Sequence, residues 1–166
     1  MNKKELVKIA KYLNDKDINR GSLGNLSYRT INGFIITPSS VPNDKLNEEN
    51  CVQMTFAGTY KNKLKPSTEW QIHRDIYLKR KDISAIIHTH PTSSTAIACM
   101  NINIPSFHYM VAIAGGEDIK CAKYATFGTE KLSKNVIKAL ENRNACLMAN
   151  HGLIVGAKDL KIATKL

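Results

Sequence analysis

The sequence predicts an α/β domain: an antiparallel or mixed sheet with helices packed on its faces. Short β-branched runs such as "LSYRTINGFIIT" and "SAIIHTH" are interspersed with stretches whose apolar residues recur at helical spacing. The two kinds follow one another irregularly, unlike the strict strand–helix alternation of a parallel sheet. With 166 residues, 43% of them apolar, the chain reads as a single domain, 1–166, long enough to bury a core without staples.

Leu6, Ile9, Ala10 and Leu13 predict an amphipathic helix over 3–15, ended near Asn19 and Gly21. Asn32-Gly33, between two β-prone runs, is a strong hairpin signal. After the polar loop "SSVPNDKLNEEN" comes a short strand, "CVQMTF", and then a loop or hairpin, "AGTYKNKLK". Ser67 is placed to cap a helix over about 68–80 that buries Trp70, Ile72, Ile76 and Tyr77. "DISAIIHTH" reads as a buried strand, and Pro91 suits the first turn of a helix reaching about Met100. A strand or loop is expected around "IPSFHYMVAIAGG", a helix over 129–142, two short strands hinged at His151-Gly152, and the start of a last helix in "KDLKIATKL".

The net charge of +10 would suit nucleic acid, a membrane surface or anionic metabolites. The lysines are dispersed, however, and their densest clusters lack the interleaved aromatics on which a single-strand binder stacks bases. Neither a nucleic-acid nor a membrane partner is therefore expected. No stretch has the roughly 18 apolar residues of a membrane span, and the lysine-rich start lacks a signal-peptide apolar core. Cys51, Cys99, Cys121 and Cys146 form no CxxC pair and read as reduced, buried thiols. The expected compartment is the cytoplasm.

Chemistry concentrates at "IIHTH". In a strand, side chains two apart share a face, so His88 and His90 can address one point while Thr89 faces away. A catalytic zinc needs a third protein ligand. His151, at a strand end beside Gly152, is the natural candidate, and His73 and His108 compete for the role. In "PSTEW", Glu69 stands at the start of a helix behind Ser67 and Thr68, where free N–H groups hold phosphate well. "GSLGNLS" and "TPSS" are likewise able to present backbone N–H groups to an anion.

Seven stretches, in this order, resemble the class II aldolase/adducin family, in particular its L-fuculose-1-phosphate aldolase branch. They are "GNLS" (24–27), "ITPSS" (36–40), "PSTEW" (66–70), "IIHTH" (86–90), "IPSFHYMVAIAGG" (104–116), "YATFGTEKLS" (124–133) and "NHGLIVG" (150–156). The resemblance implies a three-layer α/β/α domain around a mainly antiparallel sheet. It implies Zn2+, with Mn2+ or Co2+ as alternatives, on His88, His90 and His151, and Glu69 as catalytic acid/base. It further implies a substrate phosphate among Ser22, Asn25, Ser39, Ser40, Ser67 and Thr68, and a metal-stabilised enediolate in the cleavage of a sugar 1-phosphate to dihydroxyacetone phosphate and an aldehyde. Tyr109 matches a tyrosine that serves a neighbouring subunit's site as a proton donor, which implies a homotetramer with interfacial active sites.

Two departures stand out. Ser40 occupies a position where the aldolase pattern usually has Gly, and the family's C-terminal helix and tail are not represented before Leu166. Pentulose-phosphate 4-epimerases, methylthioribulose-1-phosphate dehydratases and sugar-acid phosphate decarboxylases share the fold, and an adducin-like binding module is the non-enzymatic alternative. All three histidines and Glu69 weigh against that last reading.

Overall fold

The computed structural model describes residues 1–166. Seven strands form one sheet: β1 (Asn25–Thr30), β2 (Gly33–Ile36), β3 (Val52–Thr55), β4 (Ala85–Thr89), β5 (Cys121–Ala122), β6 (Ala145–Met148) and β7 (Gly152–Ala157). Their spatial order is β3-β2-β1-β4-β7-β6-β5, so β4 is central. Every pairing is antiparallel except that of the short edge strand β5 with β6. The helices are α1 (Lys3–Asp15), α2 (Trp70–Lys79), α3 (Thr92–Cys99), α4 (Glu130–Ala139) and α5 (Leu160–Lys165).

Strand alternation divides the core between the two faces of the sheet. On one face Leu6, Ile9 and Leu13 of α1 and Leu160 of α5 pack on Leu26, Ile87 and Val155. On the other, Ile72, Ile76 and Tyr77 of α2 and Leu132 and Val136 of α4 pack on Phe34, Ile36, Ile86 and Ile154. Ile86 belongs to the second cluster and Ile87 to the first, so the period of two carries His88 to the α2 face. The domain has the expected α/β/α layering.

Local chemistry accounts for the differences from the sequence reading. Helix α2 begins at Trp70, later than expected, because residues 67–69 form a turn. There the Trp70 N–H donates to the Ser67 carbonyl and the Glu69 N–H donates to Ser67 Oγ. Glu69 thus becomes the helix N-cap residue, and its side chain makes no capping bond. The stretch "IPSFHYMVAIAGG" contains a 3-10 helix at Tyr109–Ala114, capped by the His108 side chain and stopped at Gly115 with φ +95°. Of the cysteines only Cys51 and Cys146 are buried; Cys99 is exposed. No helix is long and apolar enough to cross a membrane.

Helix α2 is fastened at its far end by Arg29 of β1, whose guanidinium donates to the carbonyls of Tyr77, Arg80 and Ile83. The same guanidinium lies over the Tyr77 ring, 4.9 Å from its centroid. A cation at a helix C-terminus satisfies carbonyls that have no intrahelical partner. Arg29→Met is expected to lower the unfolding free energy by about 2 kcal/mol, the scale of hydrogen bonds to a charged group, as read by urea denaturation.

Candidate active site

The end of β4 delivers two imidazoles to one point: His88 Nε2 and His90 Nε2 lie 2.8 Å apart. His151, in the turn between β6 and β7, completes the cluster, its ring centroid 4.8 Å from that of His88 and 5.1 Å from that of His90. One ligand atom from each of the three lies within 4.8 Å of the other two. His88 donates its Nδ1–H to the Leu153 carbonyl at 2.8 Å, which turns Nε2 inward.

Two further residues hold this geometry. Asn19, fully buried, clamps the peptide that leaves β4: its Nδ2–H donates to the His88 carbonyl and its Oδ1 accepts the His90 N–H, each at 3.2 Å. Gly152 leaves room for the rings, since a Cβ there would lie 2.5 Å from the Thr89 carbonyl oxygen and 2.8 Å from His90 Cδ2. The tight turn expected of Gly152 is made instead by Asn150, at φ +54°; glycine is needed at 152 for close approach.

Glu69 projects from the start of α2 into the middle of the cluster and is only 6% exposed. Its Oε2 lies 3.1 Å from His88 Nε2 and accepts a hydrogen bond from Asn25 Nδ2 at 3.0 Å. Oε1 stands 3.4 Å from His151 Nε2 and, although buried, has no hydrogen-bond partner. Burial alone would raise the carboxyl pKa; His88, His151 and the Asn25 hydrogen bond outweigh it and hold the group well below the usual carboxylate range. Burial likewise opposes a charge on His88, but the carboxylate raises that imidazole's pKa, while burial and His88 push His90 down to about 4.

This donor set fits a metal ion. The facing His88 and His90 nitrogens, 2.8 Å apart, have room for one shared proton at most, and His151 brings a third ring nitrogen beside the same buried carboxylate. A divalent cation on three neutral imidazoles would relieve the close nitrogen–nitrogen contact and place positive charge beside the buried carboxylate.

A cavity of about 430 Å³ opens above the cluster. Ser22, Asn25, Ser39, Ser40, Ser67 and Thr68 line it together with Glu69, His90 and His151, and no lysine or arginine does. Ser40 holds φ +62°, a left-handed conformation that glycine adopts without strain, so the loop keeps a glycine-like path despite the serine. Asn25 faces the cavity with its amide already engaged to Glu69 and His73. Tyr109 lies outside this cavity, 79% exposed on the 3-10 helix. His73 and His108, the competitors for the third ligand position, are not in the cluster: His73 is buried between Asn25 and Ser27, and His108 caps the 3-10 helix.

A buried carboxylate, three metal-competent imidazoles and a hydroxyl-lined cavity stand side by side in one site. Comparison with known proteins gives the chain its family. Residues 4–166 match the family described as Class II Aldolase and Adducin N-terminal domain. A 5-methylthioribulose-1-phosphate/5-deoxyribulose-1-phosphate aldolase of Rhodospirillum rubrum is 44% identical over 97% of this chain and 73% of its own length. An L-fuculose phosphate aldolase of Escherichia coli is 43% identical over 88% of this chain and 68% of its own. A solved L-fuculose 1-phosphate aldolase superimposes with a TM-score of 0.95 at 41% identity, covering 98% of this chain and 78% of that one. The chain belongs to the class II aldolase/adducin family, and within it to the aldolases, which are carbon–carbon lyases.

Burial pushes the His73 imidazole down to about 3, so it stays neutral in the folded protein and protonates freely when unfolded. Its contribution is fully present above pH about 6.5, the ordinary histidine value, and is lost as pH falls toward 3, because the unfolded chain there binds the extra proton. The stability of the wild-type protein is therefore expected to fall more steeply than that of His73→Gln across this window. The difference is at most about 1.4 kcal/mol per pH unit, measured by chemical denaturation at successive pH values.

Proposed function

We propose that the chain is a metal-dependent aldolase that cleaves a ketose 1-phosphate, L-fuculose 1-phosphate or a close analogue, into dihydroxyacetone phosphate and an aldehyde, and that it also catalyses the reverse addition. The observation that best supports this reading is the buried, unpartnered Oε1 of Glu69 at the floor of a hydroxyl-lined cavity. Of the two carboxylate oxygens, the one free of hydrogen bonds is the one open to accept a proton, and the low-dielectric surroundings make its orientation matter.

His88, His90 and His151 would hold Zn2+, or in its place Mn2+ or Co2+, through their ring nitrogens. Bound there, the cation supplies a Lewis acid for the substrate's carbonyl oxygen. The hydroxyls of Ser22, Ser39, Ser40, Ser67 and Thr68 and the second Asn25 amide hydrogen bind the phosphate as neutral donors, with the basic surface attracting it from solution. Glu69 Oε1 takes the proton from the carbon beside the carbonyl in the addition direction and returns it in the cleavage direction. Tyr109 of a neighbouring subunit protonates the aldehyde oxygen within a homotetramer. The exposed Phe107, Tyr109, Met110 and Ile113 support a subunit contact along this segment.

The Rhodospirillum rubrum relative favours a second substrate, a 5-deoxy- or 5-methylthio-ribulose 1-phosphate. The phosphate-bearing half is common to all these ketoses and only the aldehyde half differs. Assaying the three sugar phosphates for release of dihydroxyacetone phosphate separates them. Epimerisation or dehydration of a ketopentose phosphate with no release from any of the three would overturn the proposal.

Deuterium exchange into dihydroxyacetone phosphate supplied alone isolates the proton transfer. Glu69→Gln is expected to slow it by about 10²- to 10⁴-fold while metal content is retained. Elemental analysis of the wild-type protein after gentle purification should find about one equivalent of divalent metal, and His90→Ala should lose it. Less than about half an equivalent in the wild-type protein counts against the histidine site.

A further inference from the structure

Behind the cavity, four buried residues run in single file to Glu69. Tyr77 Oη and Ser27 Oγ are 2.6 Å apart, as are Ser27 Oγ and His73 Nδ1, and His73 Nε2 and Asn25 Oδ1. Asn25 Nδ2 then lies 3.0 Å from Glu69 Oε2. Tyr77 and Ser27 are fully buried, His73 is 1% exposed and Asn25 4%. None of the four hydrogen-bonds to a side chain of the histidine trio. The row interrupts the apolar α2 face of the sheet, where each polar atom left unmade would cost about 1–3 kcal/mol.

The file has one direction. An ionised carboxylate only accepts, so Asn25 must turn its amide nitrogen toward Glu69 and its carbonyl oxygen toward His73. His73 must then carry its proton on Nε2 and accept the Ser27 hydroxyl proton at Nδ1, and Tyr77 must donate to Ser27. The reverse arrangement sets the Asn25 oxygen against the carboxylate, acceptor against acceptor. An amide side chain offers its two ends at similar shape, so nothing but its partners decides which end faces Glu69.

We propose that His73 is a positioning residue for the reaction: its Nε2–H locks the Asn25 amide so that Glu69 Oε2 is held and Oε1 alone is left to accept the substrate's proton. This inference rests on the acid–base role proposed for Glu69. Without the His73 donor, the Asn25 amide rotates and presents its oxygen, and the carboxylate loses the tether that distinguishes its two oxygens. The metal ligands and the hydroxyls at the cavity's mouth keep their places.

The test uses the full chain with its metal and two readouts. In protein labelled with ¹⁵N-histidine, imidazole NMR is expected to show His73 protonated at Nε2 and not at Nδ1; the opposite tautomer overturns the inference. In deuterium exchange into dihydroxyacetone phosphate, His73→Phe is expected to lower kcat by about 100-fold, the scale of an ångström-sized misplacement, with metal content unchanged and a smaller rise in KM, because the Asn25 hydrogen offered to the phosphate turns away with the amide. His73→Gln, whose amide N–H can reach Asn25 Oδ1, is expected to restore most of the loss. A His73→Phe protein that exchanges at the wild-type rate, or that loses activity only through KM, overturns it. Should His73→Phe fail to fold, Ser27→Ala takes its place: it is expected to mix the His73 tautomers and lower kcat, and an unchanged spectrum with unchanged kcat overturns the inference. Absence of exchange in the wild-type protein would count against the role of Glu69, whereas normal wild-type exchange with an unimpaired His73→Phe counts against His73 alone.

Discussion

The site depends on the register in which β1 pairs with β4. Asn25 lies directly opposite His88 and Ser27 opposite Ile86, so their side chains share the α2 face of the sheet. A slip of one residue would send Asn25 and Ser27 to the α1 face, among Leu6, Ile9 and Leu13, and take from His73 both its partners and from Glu69 its amide donor. The same register places Leu26 and Tyr28 in the apolar cluster on the far side. One pairing therefore satisfies the hydrophobic requirement of one layer and the hydrogen-bonding requirement of the other. On the opposite side of β4, His88 pairs with Ile154 and Thr89 with Leu153, which puts the Leu153 carbonyl within reach of the His88 ring. The central strand is thus fixed from both sides before any cation or substrate is considered.

How much of this was legible in the sequence depended on the range of the interaction. The strand period of two is local, so it correctly brought His88 and His90 to one face. The helical spacing of Leu6, Ile9, Ala10 and Leu13, and the Asn32-Gly33 turn, were readable for the same reason. His151 was reached as a histidine beside a glycine at a strand end, although Gly152 serves close packing and the turn is made by Asn150. Glu69 alone read as part of a helix cap, and the family resemblance supplied its role. Its displacement to the N-cap position, with the side chain aimed away from the backbone, follows from a turn that propensity does not encode. Ser40 was visible as a departure, but only the backbone shows that it keeps a left-handed conformation.

The polar file from Tyr77 to Asn25 was not legible. Its members come from β1 and α2, 46 to 50 residues apart, and become neighbours only through the strand register. In the sequence His73 is one histidine on an amphipathic helix, and its competition for the metal was decided by burial against Ser27 and Asn25, not by spacing. Asn19 is similar. It marked the end of a helix in the sequence, whereas the fold uses both ends of its amide to hold the peptide between two metal-competent histidines.

The two faces of the sheet carry different burdens. The α1–α5 face is built of side chains such as Leu6, Leu26, Ile87 and Leu160, with no charge to compensate. The α2–α4 face buries a carboxylate, two imidazoles at 1% exposure and a tyrosine hydroxyl on the side of the sheet that also holds Ile72, Ile76 and Phe34. Removing such groups from water opposes folding, and the hydrogen bonds along the file recover only part of that. Glu69 Oε1, at the place where the cavity meets the histidines, is one of two buried side-chain atoms left without a hydrogen-bond partner, the other being Thr95 Oγ1. A fold selected for stability alone would have satisfied the Glu69 oxygen or replaced it. Its place beneath the cavity and beside His88 and His151 is where the base proposed for the reaction would meet a substrate.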